Sequence, residues 1–146
     1  MIIKKIKLEN YTVFENQQVE FGSGINVFIG ENGTGKTHIL KALYSACQSV
    51  DKKVAFSHKL VLTMLPDDYK ISRLITRKPG NRVCTIRITA GDPNITQDRV
   101  LTASFNGKTK KWEADVTGED GWEESFSGIS SIFIPAKEIL SHSYNL

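Results

Sequence analysis

The sequence predicts an α/β fold in a single domain, and three observations support this prediction. The 146 residues are close to the usual size of one domain, and 40% of them are apolar, which is enough to bury a core. Several short segments have the apolar patterns typical of strands, and one longer segment has apolar residues at helical spacing. A glycine-rich loop joins a predicted strand to that helix. We therefore treat residues 1–146 as one unit.

The amino-terminal part, residues 2–50, predicts a hairpin, a strand, a loop and a helix in that order. Residues 2–8 and 17–21 have strand-like patterns on either side of a turn-prone segment. Residues 25–29 (INVFI) are almost continuously apolar, which favours a buried central strand. From Thr37 onward, apolar residues recur every third or fourth position, as in an amphipathic helix.

The later part, residues 82–134, predicts an antiparallel β-subdomain. Three strand-rich segments lie at 82–89, 99–105 and 110–116, and the pair Asn106-Gly107, a strong hairpin signal, separates the last two. The alternation of strands and turns is typical of a meander.

Four other segments have weaker patterns. We expect two short helices at 60–65 and 71–75, an acidic loop at 118–128 and a short strand at 131–134 that ends before a proline. The segment 60–68 superficially resembles an apolar strand that leads into two acids, but core packing explains its leucines.

Composition narrows the class of protein without deciding its function. The net charge of +3 is compatible with a nucleic-acid partner but does not require one. Cys47 and Cys84 do not have metal-binding spacing, and we expect no structural zinc. The amino terminus does not have the pattern of a secretory signal, and no apolar run approaches the roughly 18 residues of a membrane span. We therefore expect a cytoplasmic location.

A phosphate-binding loop is the most specific feature of the sequence. Residues 30–37 fit the pattern of Gly, any four residues, Gly, Lys, and Ser or Thr, known as Walker A. Average composition gives about 0.005 chance matches in a chain of this length. The predicted ligand-binding residues are Gly30, Glu31, Asn32, Gly33, Thr34, Gly35, Lys36 and Thr37. The motif therefore predicts a P-loop NTPase that binds ATP and magnesium.

Each fixed position of the motif has a physical role. Glycines let the backbone fold tightly, so that successive N–H groups and the following helix N-terminus face a triphosphate. We expect Lys36 to bridge the β- and γ-phosphates and Thr37 to offer its hydroxyl to Mg²⁺. No residue that would orient a hydrolytic water is assignable from the sequence, so the catalytic residues are unknown.

Over residues 2–50 the chain resembles the opening of ABC-type ATPases of the RecF, SMC and OLD kind. The resemblance lies in Leu8-Glu-Asn-Tyr-Thr-Val-Phe14, Val19-Glu-Phe21 and Gly24-Ile-Asn-Val-Phe-Ile-Gly-Glu-Asn-Gly-Thr-Gly-Lys-Thr37. It implies a partial ABC-ATPase lobe in which adenine and ribose lie against the hairpin, and an antiparallel β-subdomain agrees with it. Tyr11 and Phe14 are candidates to contact the base, although aromatic residues in a hairpin are more often part of the core.

The resemblance also implies parts that this sequence does not contain. The family continues to a signature loop and a Walker B strand, and it acts as an ATP-bridged dimer; Phe126-Ser-Gly-Ile129 lacks the second glycine of a signature. The Q-loop glutamine is absent near residues 133–138, where Lys137 or Glu138 is a candidate replacement and an ordinary helix start is the alternative. Gln48 lies too early in the chain for that role.

Three functional hypotheses remain open. The first is an ATP-binding N-terminal lobe whose hydrolysis depends on a C-terminal lobe or a homodimer. The second is a naturally short, non-hydrolysing regulatory subunit, and the third is a small P-loop kinase or GTPase, although the guanine-specific Asn-Lys-x-Asp is absent. DNA is a common partner in the resembling family. The lysines at 108, 110 and 111 form a short basic cluster, but such clusters are usually solvated surface.

Overall fold

One antiparallel sheet and three helices make up the described part of the chain. The computed structural model describes residues 1–50, 54–92, 94 and 96–135. The sheet has the order β2-β1-β3-β4-β5, with strands β1 (Ile2–Tyr11), β2 (Phe14–Glu20), β3 (Val83–Gly91), β4 (Arg99–Asn106) and β5 (Asp115–Thr117). The helices are α1 (Lys36–Gln48), α2 (Phe56–Met64) and α3 (Glu119–Phe126), with 3-10 turns at Asp67–Tyr69 and Ile71–Leu74. The predicted α/β class is confirmed.

The core lies between one face of the sheet and the helices. In β1, Ile6 and Leu8 are fully buried, and in the sheet register they lie opposite Ile88 and Ile86 of β3. The intervening Lys7 lies on the other face, because successive side chains of a strand alternate between faces. The buried apolar residues of the first two helices are Ile39, Ala42 and Ala46 of α1, and Phe56, Leu60 and Val61 of α2. This packing fixes the start of α1 beside the β1–β2 hairpin.

The loop predicted at 118–128 is instead largely helical, which corrects the prediction. Helix α3 begins after Gly118, whose φ is +88°, and buries Trp122 and Phe126, one turn apart, in a stacked pair with centroids 4.5 Å apart. The Trp122 indole Nε1–H donates to the Ala46 carbonyl at 2.9 Å, and a Glu119 carboxylate oxygen accepts from the Phe56 N–H at 2.9 Å. These contacts tie α3 to the other two helices.

Replacing Trp122 with phenylalanine is expected to lower the free energy of unfolding by about 1–3 kcal/mol. The change removes the hydrogen bond to Ala46 and leaves unfilled volume in a fully buried position. Urea unfolding followed by far-UV circular dichroism measures the effect, and the same change at half-buried Trp112 is the matched control. Equal midpoints for the two variants would contradict the role of Trp122.

Residues 25–29 do not form the buried central strand that their sequence predicts. The segment has no regular secondary structure, and Ile25, Val27 and Ile29 are 96%, 74% and 91% exposed. Phe28 contacts the core on the opposite side, and its ring makes an edge-to-face contact with Phe21. A strand requires a hydrogen-bonded neighbour, and no described residue provides one for this segment.

The strand predicted at 131–134 is likewise not formed, because the segment pairs with no described strand. Ile132 and Ile134 are 81% and 70% exposed, whereas the ring of Phe133 lies 5.8 Å from that of Tyr44 on α1. The described part of the chain therefore contains two segments that have strand-like alternation and only one covered face.

The other predictions agree in type and differ in their boundaries. The hairpin, the short helices at 60–65 and 71–75 and the strands at 82–89 and 99–105 are confirmed. The strand predicted at 110–116 is limited to the three residues of β5, because residues 107–114 consist of two turns, at 107–108 and 111–112, and irregular residues rather than a tight Asn-Gly hairpin.

Candidate functional site

The glycine-rich loop at residues 30–35 leads directly into α1, as the motif predicts. Gly33 and Gly35 have φ values of +81° and +92°, in the left-handed region that favours glycine. Helix α1 begins at Lys36. The backbone N–H groups of its first turn have no acceptor within the helix, and they point toward the loop. A cavity of about 180 Å³ is bounded by Asn32, Gly33, Thr34, Gly35, Lys36, Thr37 and His38. The structure thus brings together six of the eight predicted residues around one cavity.

The Lys36 ammonium lies within the loop. Its Nζ donates to the carbonyl oxygens of Gly30 at 2.6 Å and Glu31 at 2.5 Å, and it lies 3.3 Å from the Thr34 hydroxyl. Thr34 in turn donates to the Glu31 carbonyl at 2.8 Å. These contacts connect the remaining two predicted residues, Gly30 and Glu31, to the site, and they place a positive charge at its centre.

The turn of the β1–β2 hairpin packs directly on the loop. A Cβ atom added to buried Gly35 would lie 2.6 Å from Val13 Cγ2 and still closer to the Phe14 ring. No side chain larger than hydrogen fits there without moving the turn. The close contact therefore sets the position of the loop relative to the sheet.

Further hydrogen bonds hold the hairpin turn between α1 and the segment that follows α2. The Thr12 hydroxyl lies 2.9 Å from His38 Nδ1 on α1, and the Thr12 N–H donates to the Leu74 carbonyl at 2.7 Å. The Thr76 hydroxyl donates to the Phe14 carbonyl at 3.1 Å. The turn is therefore fixed on both sides.

A larger cavity, about 530 Å³, lies beside the loop and shares His38 with the smaller one. Its wall is formed by Thr12, Val13, His38, Met64, Leu65, Pro66, Asp67, Arg73, Leu74, Ile75, Thr76 and Arg77. Leu65 has a positive φ of 51°, as do Asp68 and Tyr69 in the same loop at 57° and 53°. Non-glycine residues seldom adopt this conformation, and it is commonly found at functional sites.

Sequence reasoning did not identify these cavity residues. Residues 64–67 and 73–77 carry no recognised motif, and they meet the rest of the cavity only through contacts between distant parts of the chain. Two signals were available: Thr12 and Val13 lie in the hairpin segment that carries the family resemblance, and His38 directly follows the motif.

Tyr11 is a core residue and not a contact for a ligand. It is fully buried, and its hydroxyl donates to the His38 carbonyl at 3.4 Å. Burial raises the pKa of this phenol far above its usual value. Phe14 is half-buried against Gly35. Gln48, excluded from the Q-loop role, donates to Ser131 Oγ at 2.8 Å, and the candidates Lys137 and Glu138 lie outside the described residues.

Stability is expected to fall as the pH decreases through the range in which unfolded histidine titrates, near pH 6.5. Burial, and secondarily Lys41, lowers the pKa of His38. A lowered pKa in the folded state means that the unfolded chain binds more protons in this range, so acidification favours unfolding. Thermal unfolding at pH 5.5 and 7.5 measures the loss, which is expected to be smaller in His38→Asn. An equal loss in wild type and variant would contradict this assignment.

Metal-binding side chains are sparse in the part that the structure describes. Residues 1–50, 54–92, 94 and 96–135 contain no group of three or more His, Cys, Asp or Glu that could hold a metal ion. Cys47 and Cys84 are free, and burial raises the pKa of the Cys47 thiol to about 11. Thr37, whose hydroxyl the sequence predicts as a ligand of Mg²⁺, is exposed in the first turn of α1. None of the helices within these ranges combines the length and the hydrophobicity that a membrane span requires.

Comparison with known proteins identifies the family. The sequence matches the AAA domain family over residues 5–144. It is 29% identical over 90 residues to the DNA replication and repair protein RecF of Streptococcus gordonii, which covers 62% of this chain and 25% of RecF. It is also 29% identical over 110 residues to the DNA double-strand break repair Rad50 ATPase of Archaeoglobus fulgidus, covering 66% of this chain and 12% of Rad50. The chain thus spans a quarter or less of these relatives.

Solved structures show the same fold at low sequence identity. A chain from a study of ATP-driven dimerization and DNA-stimulated activation of SMC ATPases superposes with a TM-score of 0.67 at 16% identity, over 98% of this chain and 91% of that one. The recombination mediator RecF bound to ATP gives a TM-score of 0.58 at 17% identity, over 94% of this chain and 33% of that one. The chain belongs to the AAA domain family and is an N-terminal lobe of the RecF/SMC-like, ABC-type ATPase group.

Proposed function

We propose that the chain binds ATP with Mg²⁺ at the loop of residues 30–37. The observation that carries this proposal is the Lys36 ammonium, held among loop carbonyls beside a cavity at the N-terminus of α1. A cation and free helical N–H groups around one concave surface suit a polyphosphate. The RecF neighbour is described as an ATP complex, which agrees with this choice of nucleotide.

In this proposal each residue of the loop contacts a different part of the bound Mg-ATP. Lys36 moves from the carbonyls of Gly30 and Glu31 to the phosphate oxygens, and the N–H groups of the loop donate to the same oxygens. Bound Mg²⁺ would supply neutralisation of phosphate charge, and the Thr37 hydroxyl would be its protein ligand. The loop would therefore bind the nucleotide but would not itself activate the water molecule that hydrolyses it.

We place the nucleoside in the 530 Å³ cavity next to the loop. This cavity shares His38 with the phosphate cavity and is bounded by the hairpin turn at Thr12 and Val13, so it adjoins the end of the phosphate site. Half-exposed Val13 and exposed Leu65 offer apolar surface to a base, and Arg73 and Asp67 offer polar contacts. Its volume falls within the usual range for a small-molecule site.

Hydrolysis, in this proposal, depends on a second lobe. The exposed faces of residues 25–29 and 131–134 have the alternation of strands without strand neighbours. Contiguous exposed apolar surface commonly marks an interaction site. A C-terminal lobe bearing the signature and Walker B elements would pair with these segments, and two such units would form a homodimer around ATP. ATP-driven dimerization of the SMC neighbour is consistent with this arrangement. We further propose that the protein is cytoplasmic and that DNA is one of its partners.

ATP binding and ATP hydrolysis, measured on the same sample, test the proposal that this chain binds ATP but needs a second lobe for hydrolysis. We expect this chain to bind a fluorescent ATP analogue in the presence of Mg²⁺ and to release no phosphate above the Lys36→Ala background. A longer protein that adds the C-terminal lobe is expected to hydrolyse ATP. Hydrolysis by the chain alone would contradict the need for a second lobe, and binding without hydrolysis in the longer protein would favour a regulatory role.

A further inference from the structure

A carboxylate without a partner lies on the wall of the larger cavity, at Asp67. This residue is exposed, and its side chain forms no hydrogen bond or ion pair with any residue in the described ranges. Arg73 and Arg77 line the same cavity, yet neither of them pairs with Asp67. The carboxylate is therefore separate from the cations of the wall and is open to a ligand in the cavity.

The backbone around Asp67 fixes the position of this residue. Asp67 follows Pro66, whose ring restricts the backbone, and the Lys70 N–H donates to the Asp67 carbonyl at 3.2 Å. Directly after this turn, the Ile71 N–H donates to the Lys111 carbonyl at 2.6 Å, which ties the turn to the segment that follows β4. A polar group that is held in place before binding contributes more to affinity than a mobile one, because less entropy is lost. Asp67 is therefore suited to recognise one particular group of a ligand.

The charge of Asp67 limits which part of a nucleotide it can contact. A carboxylate repels phosphate groups, and it accepts hydrogen bonds but donates none. In ATP, the ribose hydroxyls and the 6-amino group of adenine are the hydrogen-bond donors. The ribose is joined to the phosphates, so it lies near His38, which lines both cavities, whereas Asp67 lines the larger one alone. Leu65 and Pro66, beside Asp67 on the wall, offer apolar surface to the base.

We propose that Asp67 accepts a hydrogen bond from the 6-amino group of adenine and makes the site selective for 6-aminopurine nucleotides. The inference rests on the proposed function, from which it takes ATP as the ligand and the larger cavity as the place of the nucleoside. Guanine is the competing base for a carboxylate, because its N1–H and its 2-amino group both donate. The two bases place their donors at different positions of the ring, so binding measurements distinguish them.

Calorimetry with Mg-ATP and with the Mg²⁺ complex of purine riboside triphosphate, which is ATP without its 6-amino group, tests the proposal. We expect the wild-type chain to bind ATP about tenfold more tightly than the analogue, as for one hydrogen bond to a charged acceptor. In Asp67→Ala the two ligands are expected to bind equally well, because ATP loses a contact that the analogue never makes. Asp68→Ala removes the same charge and is the matched control, since Asp68 is ion-paired with Lys70 at 3.4 Å and does not line the cavity. It should keep the wild-type preference for ATP.

Several outcomes would overturn the proposal. It fails if the wild-type chain binds ATP and the analogue equally, or if Asp67→Ala keeps the preference for ATP. A preference for GTP over ATP that disappears in Asp67→Ala would show that the carboxylate contacts guanine instead, and a preference for ATP over 2′-deoxy-ATP that disappears in this variant would assign Asp67 to the ribose.

Inorganic triphosphate, titrated into the same samples with Mg²⁺, separates this inference from the proposed nucleotide site. It has no base, so its binding at residues 30–37 should not be weakened in Asp67→Ala, which also shows that the variant is folded. Binding of triphosphate together with equal binding of ATP and the analogue would overturn the role of Asp67 alone. Absence of binding of both triphosphate and ATP by the wild-type chain would contradict the proposed function and this inference with it.

Discussion

Replacing Gly35 with alanine is expected to abolish ATP binding and to lower the free energy of unfolding by about 1–3 kcal/mol from overpacking alone. Gly35 is buried with φ of +92°, and an added Cβ would lie 2.6 Å from Val13 Cγ2. The methyl group must displace the hairpin turn or the loop, and either movement disrupts the phosphate site. Thermal unfolding and calorimetry with Mg-ATP measure the two effects.

The variant Gly33→Ala is the control that distinguishes the steric clash at Gly35 from the cost of a positive φ. Gly33 has a similar φ of +81°, but an added Cβ would meet no atom within 4 Å. This variant carries the cost of an unfavourable φ without the contact with the hairpin. It should therefore be more stable than Gly35→Ala. Equal stability would mean that the hairpin contact does not set the position of the loop.

Replacing Lys36 with alanine is expected to weaken Mg-ATP binding by about 10- to 150-fold, the range for a lost hydrogen bond to a charged group. The ammonium is the cation that the loop itself holds, through the carbonyls of Gly30 and Glu31. The melting temperature should change little, because these contacts are near the surface and water can replace them. Calorimetry gives the ratio of the two dissociation constants.

Lys41→Ala is the matched control for Lys36→Ala. Lys41 is on the same helix as Lys36, and its replacement by alanine removes the same charge. Lys41 does not line the proposed phosphate cavity. Its effect on ATP binding should therefore be small. Equal loss in both variants would indicate a general electrostatic attraction rather than a specific phosphate contact.

Local sequence patterns predicted the elements whose stability depends on nearby residues. The hairpin of β1 and β2, the glycine-rich loop before the first helix, and α1 follow from alternation, glycine spacing and helical periodicity, and the structure has all three. The helix α3 was missed because its glycines and acidic residues resemble a loop. Its stability comes from burial of Trp122 and Phe126 against distant residues.

Local sequence patterns could not predict two other features, the unpaired segments and the larger cavity, because both depend on contacts between distant residues. The short apolar runs at residues 25–29 and 131–134 predict strands, but pairing requires a neighbour that the described residues do not provide. The cavity beside the loop depends on Thr12, His38 and Leu74, which are brought together by hydrogen bonds between distant segments. Periodicity does not reveal such contacts, because they depend on how the elements pack.

The most direct test of nucleotide binding at residues 30–37 is isothermal titration calorimetry of the wild-type chain with ATP, in the presence of Mg²⁺ and again with excess EDTA. We expect one ATP to bind per chain with Mg²⁺, and binding to be weaker in EDTA because the contact between Thr37 and the metal is lost. Absence of binding by a chain that is folded by circular dichroism would contradict the assignment of the loop at residues 30–37 as a nucleotide site.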